Sequence, residues 1–151
     1  YRSYTGGVGP LKPGKRPRLT PSPALALLDG RPFMAFGTPG GDVQQQSMLQ
    51  VFLNVTEFGM AVQQAVEAPR VYSASFPNSF APHEYFPARL AIDGHMPAGV
   101  AEALKQRGHD VEMWPPFPAA GGAVCAVKRD PGTGWLHAGA DPRREAYAIA
   151  W

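Results

Sequence analysis

Apolar positions along this chain fall into short runs broken by turn residues. Ala24-Leu25-Ala26-Leu27-Leu28 and the segment from Arg31 to Phe36 flank Asp29-Gly30. Asp-Gly between two apolar runs is a strong hairpin signal, because both central positions need positive φ. Both runs are apolar on most positions, which predicts a sheet covered on both faces. Pro32, near the start of the second strand, is tolerated there. Met48, Val51, Phe52 and Val55 then follow the i, i+3, i+4, i+7 spacing of an amphipathic helix. Asp42 is expected as its N-cap and Gly59 as its end. A second, shorter helix is predicted from Val62 to Glu67, stopping before Pro69.

Further on, a strand is predicted near Val71-Tyr72, and another from Arg89 to Ile92. Between them lies a long aromatic segment broken by Pro77, Pro82 and Pro87. Asp93-Gly94 turns the chain. Pro97 fits the first position of a helix reaching about Arg107, with Val100, Ala103 and Leu104 expected to face inward and Gly108 at C′. A strand from Val111 to Trp114 follows. Ala123–Lys128 and Trp135–Ala138 form a final hairpin around Asp130-Pro131-Gly132, ahead of a short apolar tail, Tyr147 to Trp151. Hairpin connections make the sheet largely antiparallel, and the class α+β, or α/β in the looser sense of strands packed under helices.

Length and composition narrow the picture. The chain's 151 residues amount to about one domain, and 44% of them are apolar, enough for a core. The 17 glycines and 17 prolines fall mostly between apolar runs, so they read as turns rather than low complexity. Residues 1–23, with Gly6-Gly7, Gly9-Pro10 and Pro13-Gly14, read as a loop or strap that needs something to pack on. The true start of the protein is expected elsewhere than Tyr1. Net charge is only +2, with Lys12, Lys15, Arg16 and Arg18 clustered near the N-terminus. A nucleic-acid surface needs a wider basic face with interleaved aromatics, so these cations are assigned to holding a loop against a partner segment. No apolar run is long enough to span a membrane. No signal peptide is visible, and the compartment is not legible.

One cysteine, Cys125, excludes an internal disulfide; mid-strand, it reads as a small buried hydrophobe. His83, His95, His109 and His137 lack metal-ligand spacing, so no metal is expected. His109, beside Gly108, reads as a cation at a helix C-terminus. Asn54-Val55-Thr56 fits a glycosylation sequon but falls inside the predicted helix and is discounted. Phe76, Phe80, Tyr85 and Phe86 either line a substrate mouth or cover a sheet edge. Asp141 and Arg143 read as a buried ion pair fixing a strand end, ahead of a role in a site.

The run Gly37-Thr38-Pro39-Gly40-Gly41-Asp42 carries the most chemistry. A Pro-Gly-Gly turn between an apolar strand and a helix places bare N–H groups at a helix N-terminus, suited to an anion or to the oxyanion of an acyl-transfer intermediate. The chain has no evident nucleophile of its own. This suggests part of an active site rather than a whole enzyme.

Pro13-Gly14-Lys15-Arg16-Pro17, Ser22-Pro23, Gly37-Thr38-Pro39-Gly40-Gly41, Glu67-Ala68-Pro69-Arg70, Gly108-His109 and Ala140-Asp141-Pro142-Arg143 occur in this order. In that order and spacing the chain resembles the small subunit of γ-glutamyltransferases, over about residues 10 to 151. The resemblance implies an N-terminal-nucleophile hydrolase, a four-layer αββα sandwich, a precursor that cuts itself, and a new N-terminal Thr that attacks an amide. It implies that Gly40 and Gly41 supply the oxyanion hole, where a Cβ would block close backbone approach. Residues 24–151 then form the C-terminal portion of the catalytic domain.

Where the family carries two adjacent serines for the substrate carboxylate, this chain has Leu19-Thr20. Thr20 keeps one hydroxyl; losing the other donor costs about 1.5–3 kcal/mol if nothing replaces it. That departure leans toward a related acylase or amidohydrolase over strict γ-glutamyl specificity. Ser22 matches a family serine and reads as a loop-capping hydroxyl. Thr5 is neither N-terminal nor in a matching context, so the nucleophile is expected outside this chain. The implied partners are the remainder of the same precursor and a small amide substrate, with no cofactor required. A non-catalytic remnant that folds or binds without hydrolysis is the remaining alternative.

Overall fold

The computed structural model describes residues 12–15 and 19–149. Tyr1 to Leu11, Arg16-Pro17-Arg18, Ala150 and Trp151 lie outside the described residues, and with them most of the strap, Thr5, and Arg16 and Arg18 of the basic cluster. The strands are β1 (Ala24–Leu28), β2 (Arg31–Gly37), β3 (Val71–Ser73), β4 (Arg89–Ile92), β5 (Asp110–Met113), β6 (Cys125–Arg129) and β7 (Leu136–Ala140). The helices are α1 (Gln44–Thr56), α2 (Val62–Glu67) and α3 (Ala98–Gln106). The class is α+β.

The β1–β2 hairpin turns through Asp29 at φ 51° and Gly30 at φ 74°, the two positive angles the dipeptide was chosen for. β1, β2, β6 and β7 form a four-stranded antiparallel sheet in that order. Ala24 pairs with Phe36, Phe36 with Ala126, and Ala126 with Gly139, which sets these side chains on one face. Helices α1 and α2 cover that face. Met34, Met48, Val51, Val55, Val62, Ala65, Val66, Val124 and Ala126 form the core between them. Each large member contributes about 1.5–3 kcal/mol by leaving water. Gly139 lets the start of α2 lie against β7, since a Cβ there would stand 3.0 Å from the Gln63 amide nitrogen.

Among the described residues nothing covers the opposite face of this sheet, whereas cover on both sides was expected. Leu25 (62% exposed), Leu27 (58%), Val127 (40%) and Leu136 (68%) lie on it. Cys125 is exposed there too, not buried. Its neighbours Val124 and Ala126 point into the core, so the two-residue period of a strand turns Cys125 outward.

β3, β4 and β5 make a second sheet, in which β3–β4 is antiparallel and β4–β5 parallel. Helix α3 is the crossover between the two parallel strands. Its N-cap is Pro97, one position before the expected first turn. Its buried residue is Ala101, while Val100 is 38% exposed and Ala103 exposed, so the inward stripe is displaced from the predicted one. Gly108, at φ 90°, closes the helix as expected, and the backbone N–H of His109 caps the Leu104 carbonyl. No helix among the described residues is long and apolar enough to cross a membrane.

Three glutamines stand in for missing strands. Gln46 both accepts from the Ser73 N–H and donates to the Ser73 carbonyl, and Gln50 does the same at Val71. Gln63 does so at Ala140 on β7. A side-chain amide carries the same donor and acceptor as a peptide group, so each occupies an open edge. Gln63→Ala is expected to lower stability by about 1–2 kcal/mol, read as a lower urea midpoint; an unchanged midpoint would show that water replaces the pair at no cost.

Candidate functional site

The antiparallel order fixes where the motifs meet. The lead-in to β1, the exit from β2, the lead-in to β6 and the exit from β7 all lie at one end of the four-stranded sheet. Half-buried Thr20, the Thr38–Gly41 turn, Gly121–Ala123 and Asp141–Arg143 therefore share that end.

Gly40 adopts φ 138° and ψ 7°, and Gly41 φ 63°. A Cβ on Gly40 would stand 2.5 Å from Val43 Cγ1; one on Gly41 would stand 2.9 Å from Phe80 Cε2. These positions require glycine on both counts, conformation and space. A 3-10 turn, Gly41–Val43, then opens α1. Among the described residues neither glycine's N–H has a hydrogen-bond partner. Donors without a partner ahead of a helix, where the dipole is positive, are chemically suited to an anionic oxygen.

The turn is held from beneath. Thr38 Oγ1 donates to the Pro39 carbonyl (2.8 Å) and accepts from the Ala123 N–H (2.7 Å). Gln44 Nε2 donates to the Thr38 carbonyl at 2.7 Å. Gly122 lies so close that a Cβ on it would meet Thr38 Oγ1 at 2.7 Å. Ser47 Oγ and Arg70 Nη1 both donate to the Gly121 carbonyl, at 2.8 and 3.1 Å.

Arg70 belongs to a buried ionic cluster. Its Nη2 lies 2.6 Å from Asp141 Oδ2, while Arg143 reaches Asp141 Oδ1 (3.1 Å) and Asp93 Oδ2 (2.6 Å). The Asp141–Arg143 ion pair expected at the strand end is present. It is larger than the sequence suggested, because Arg70 and Asp93 complete it. Asp141 also accepts from the Val124 N–H, which ties the exit of β7 to the lead-in of β6. The arginines further donate to the Val66 and Ala68 carbonyls at the end of α2. Burial lowers the Arg70 pKa, with the attraction of Asp141 opposing it. Burial pushes Asp93 up, but hydrogen bonds from the His95 N–H and Arg143 outweigh it and hold this carboxyl below its ordinary value.

Asp42 is not the N-cap of α1. It sits inside the 3-10 turn, Val43 takes the cap position, and the Asp42 carboxylate accepts from the Ser79 N–H (2.6 Å) and the Ser79 hydroxyl. A partner far along the chain outcompetes the local N–H groups. The aromatic residues divide. Phe80 lies against Gly41, whereas Phe76 and Phe86 line a cavity of about 220 Å³ with Tyr72, Trp114 and Asn78. Tyr72, stacked on Trp114, has a raised pKa, first from burial and then from the charge of Asp42.

The remaining candidates are structural or isolated. Asn54 and Thr56 bond backbone carbonyls on and beside α1. Ser22 makes no side-chain hydrogen bond among the described residues, so it does not cap its loop; its carbonyl instead packs near Gly37. No three His, Cys, Asp or Glu side chains among the described residues come together as metal ligands.

The family model "Gamma-glutamyltranspeptidase" matches residues 7–151. The Glutathione hydrolase-like YwrD proenzyme of Bacillus subtilis is 31% identical over 94% of this chain and 26% of its own length. The cephalosporin acylase structure from Bacillus halodurans is 32% identical with a TM-score of 0.76, over 93% of this chain and 24% of that one. The solved chain LmbA2991HD is 46% identical with a TM-score of 0.76, over 88% of this chain and 23% of that one. The chain thus spans about a quarter of the length of the curated relatives it matches. With the glycine turn and Asp141–Arg143 meeting at one end of the four-stranded sheet and the family model matching residues 7–151, this chain belongs to the gamma-glutamyltranspeptidase family.

Proposed function

We propose that this chain is the C-terminal part of a self-processing amide hydrolase or acyltransferase. In this reading Gly40 and Gly41 form the oxyanion hole, and Thr20 lends a hydroxyl to the acyl donor. The observation that carries it is the pair of glycine N–H groups ahead of α1 that have no hydrogen-bond partner among the described residues, on a turn held by Thr38. A Thr outside residues 1–151, with its own α-amine as base, attacks the amide carbonyl. The carbonyl oxygen takes the negative charge between the two donors, which need no reorganisation to receive it. The intermediate collapses with loss of the amine. Water or a second amine then takes the acyl group from the threonine oxygen.

The apolar face of the four-stranded sheet that the described residues leave uncovered supports a partner in the same precursor, since an exposed apolar patch of this kind marks an interaction surface. Packing a second sheet on it completes an αββα sandwich. Leu19, 70% exposed at the same end of the sheet as Thr20, favours an acylase or amidohydrolase without γ-glutamyl specificity as the second reading.

Intact-mass analysis and N-terminal sequencing of the protein made from the full reading frame test the assignment. Two chains are expected, the smaller beginning with Thr and containing Gly40-Gly41. A folded protein that stays uncut would sink the self-processing mechanism and leave a binding or structural module.

A further inference from the structure

The strand register of the second sheet builds a groove. Tyr72 pairs with Ala91, and Ala91 with Glu112, so one row across β3, β4 and β5 carries a phenol, a methyl and a carboxylate. Two residues further along the chain, Ala74 and Trp114 fall on the same face and line the same space. The alanines leave a low floor beside Tyr72 and Trp114, whose rings stack at 6.0 Å. The connection from β3 to β4 supplies another wall, with Phe76 and Phe86. Its own backbone holds it there: the Asn78 N–H donates to the Glu84 carbonyl (2.8 Å), and the Phe86 N–H to the Ala74 carbonyl (3.3 Å). The space between is the cavity of about 220 Å³.

The charges on this lining do not balance. Among the described residues Arg89 is its only cation, and Arg89 is already engaged: Nε lies 3.1 Å from Asp110 Oδ2, and the guanidinium sits 4.2 Å over the Phe86 ring. Glu84 and Glu112 line the cavity as well, and neither carboxylate has a hydrogen-bond or ion-pair partner among the described residues. We propose that this groove binds a small organic ammonium ion. Aromatic faces attract a cation through the ring quadrupole, and the two carboxylates supply the opposite charge. The alkyl part of such a ligand rests on the alanine floor. An anionic ligand meets repulsion from both glutamates. A bare metal ion lacks its ligand set, since no third His, Cys, Asp or Glu among the described residues joins them.

Calorimetric titration of the full-length protein with n-butylammonium, n-butanol and butyrate, at one ionic strength, is the test. The wild type is expected to bind n-butylammonium, to bind n-butanol about tenfold more weakly, and to give no heat with butyrate. The double variant Glu84→Gln, Glu112→Gln should weaken n-butylammonium binding by about tenfold. Both side chains are exposed, so its thermal melt should match the wild type. Trp114→Leu should weaken binding by about threefold. Because that ring also stacks on Tyr72, Phe76→Leu repeats the measurement at a ring that is 37% exposed. Equal affinity for n-butanol and n-butylammonium would overturn the proposal, leaving an apolar groove only. An unchanged affinity in the double variant would overturn it by placing the amine elsewhere on the protein. A folded wild type that does not bind n-butylammonium would overturn it as well, because the rest of the precursor then closes the groove.

Discussion

Gly40→Ala in the processed, full-length protein is expected to lower kcat by about 100-fold or more, the scale of losing one oxyanion donor. KM should change far less. Two independent constraints act at this residue. Its φ of 138° is one that residues with a Cβ rarely adopt, and the new methyl would stand 2.5 Å from Val43 Cγ1, the end of a stiff, buried side chain. The backbone must rotate to relieve both, and rotation swings the N–H groups of the turn away from the developing charge. Gly41→Ala meets a softer obstacle, the Phe80 ring, and should cost less. Steady-state kinetics beside a thermal melt distinguish a lost donor from a lost fold. A Gly40→Ala protein within threefold of wild-type kcat would exclude these N–H groups from the chemistry.

Arg143→Met should produce the largest loss of stability, about 3–5 kcal/mol, because it leaves buried carboxylates without their partner. Arg143 serves Asp93 and Asp141 together and also donates to the Val66 and Ala68 carbonyls. Urea unfolding of the full-length protein measures it; a loss under about 1 kcal/mol would mean that water or Arg70 takes over. The same cluster sets an acid sensitivity. Because the folded state holds Asp93 below its ordinary value of 3.8, the unfolded chain takes up that proton first as pH falls. The stabilisation is complete above the ordinary carboxylate range and is lost as pH falls through the lowered folded value. Asp93→Asn should therefore flatten the acid limb of the stability profile.

Local chemistry was legible in the sequence; partners distant along the chain were not. Asp29-Gly30 specified its hairpin because both residues tolerate positive φ. Met48, Val51 and Val55 specified the buried stripe of α1 because a helix repeats every 3.6 residues. Asp42 misled because a good N-cap residue is also a good acceptor for Ser79, and no pattern along the chain announces that contact. The parallel pairing of β4 with β5 escaped because each strand alone reads the same whichever way its neighbour runs. Arg70 stood in a recognisable motif, yet its place beneath Gly121 depends on three segments meeting. The turn at Gly40 and Gly41, though not its role, was legible because a turn that excludes side chains leaves a direct mark on the residue types allowed.

The hairpin turns at Asp29-Gly30 and Asp130–Gly134 project from the end of the four-stranded sheet opposite the glycine turn. Changes of length there leave the strand register and the distant turn untouched, since a surface loop tolerates added residues at small entropic cost. These two tips are therefore the natural points for attaching a reporter peptide or dye, and for following maturation of the precursor without disturbing the chemistry being followed.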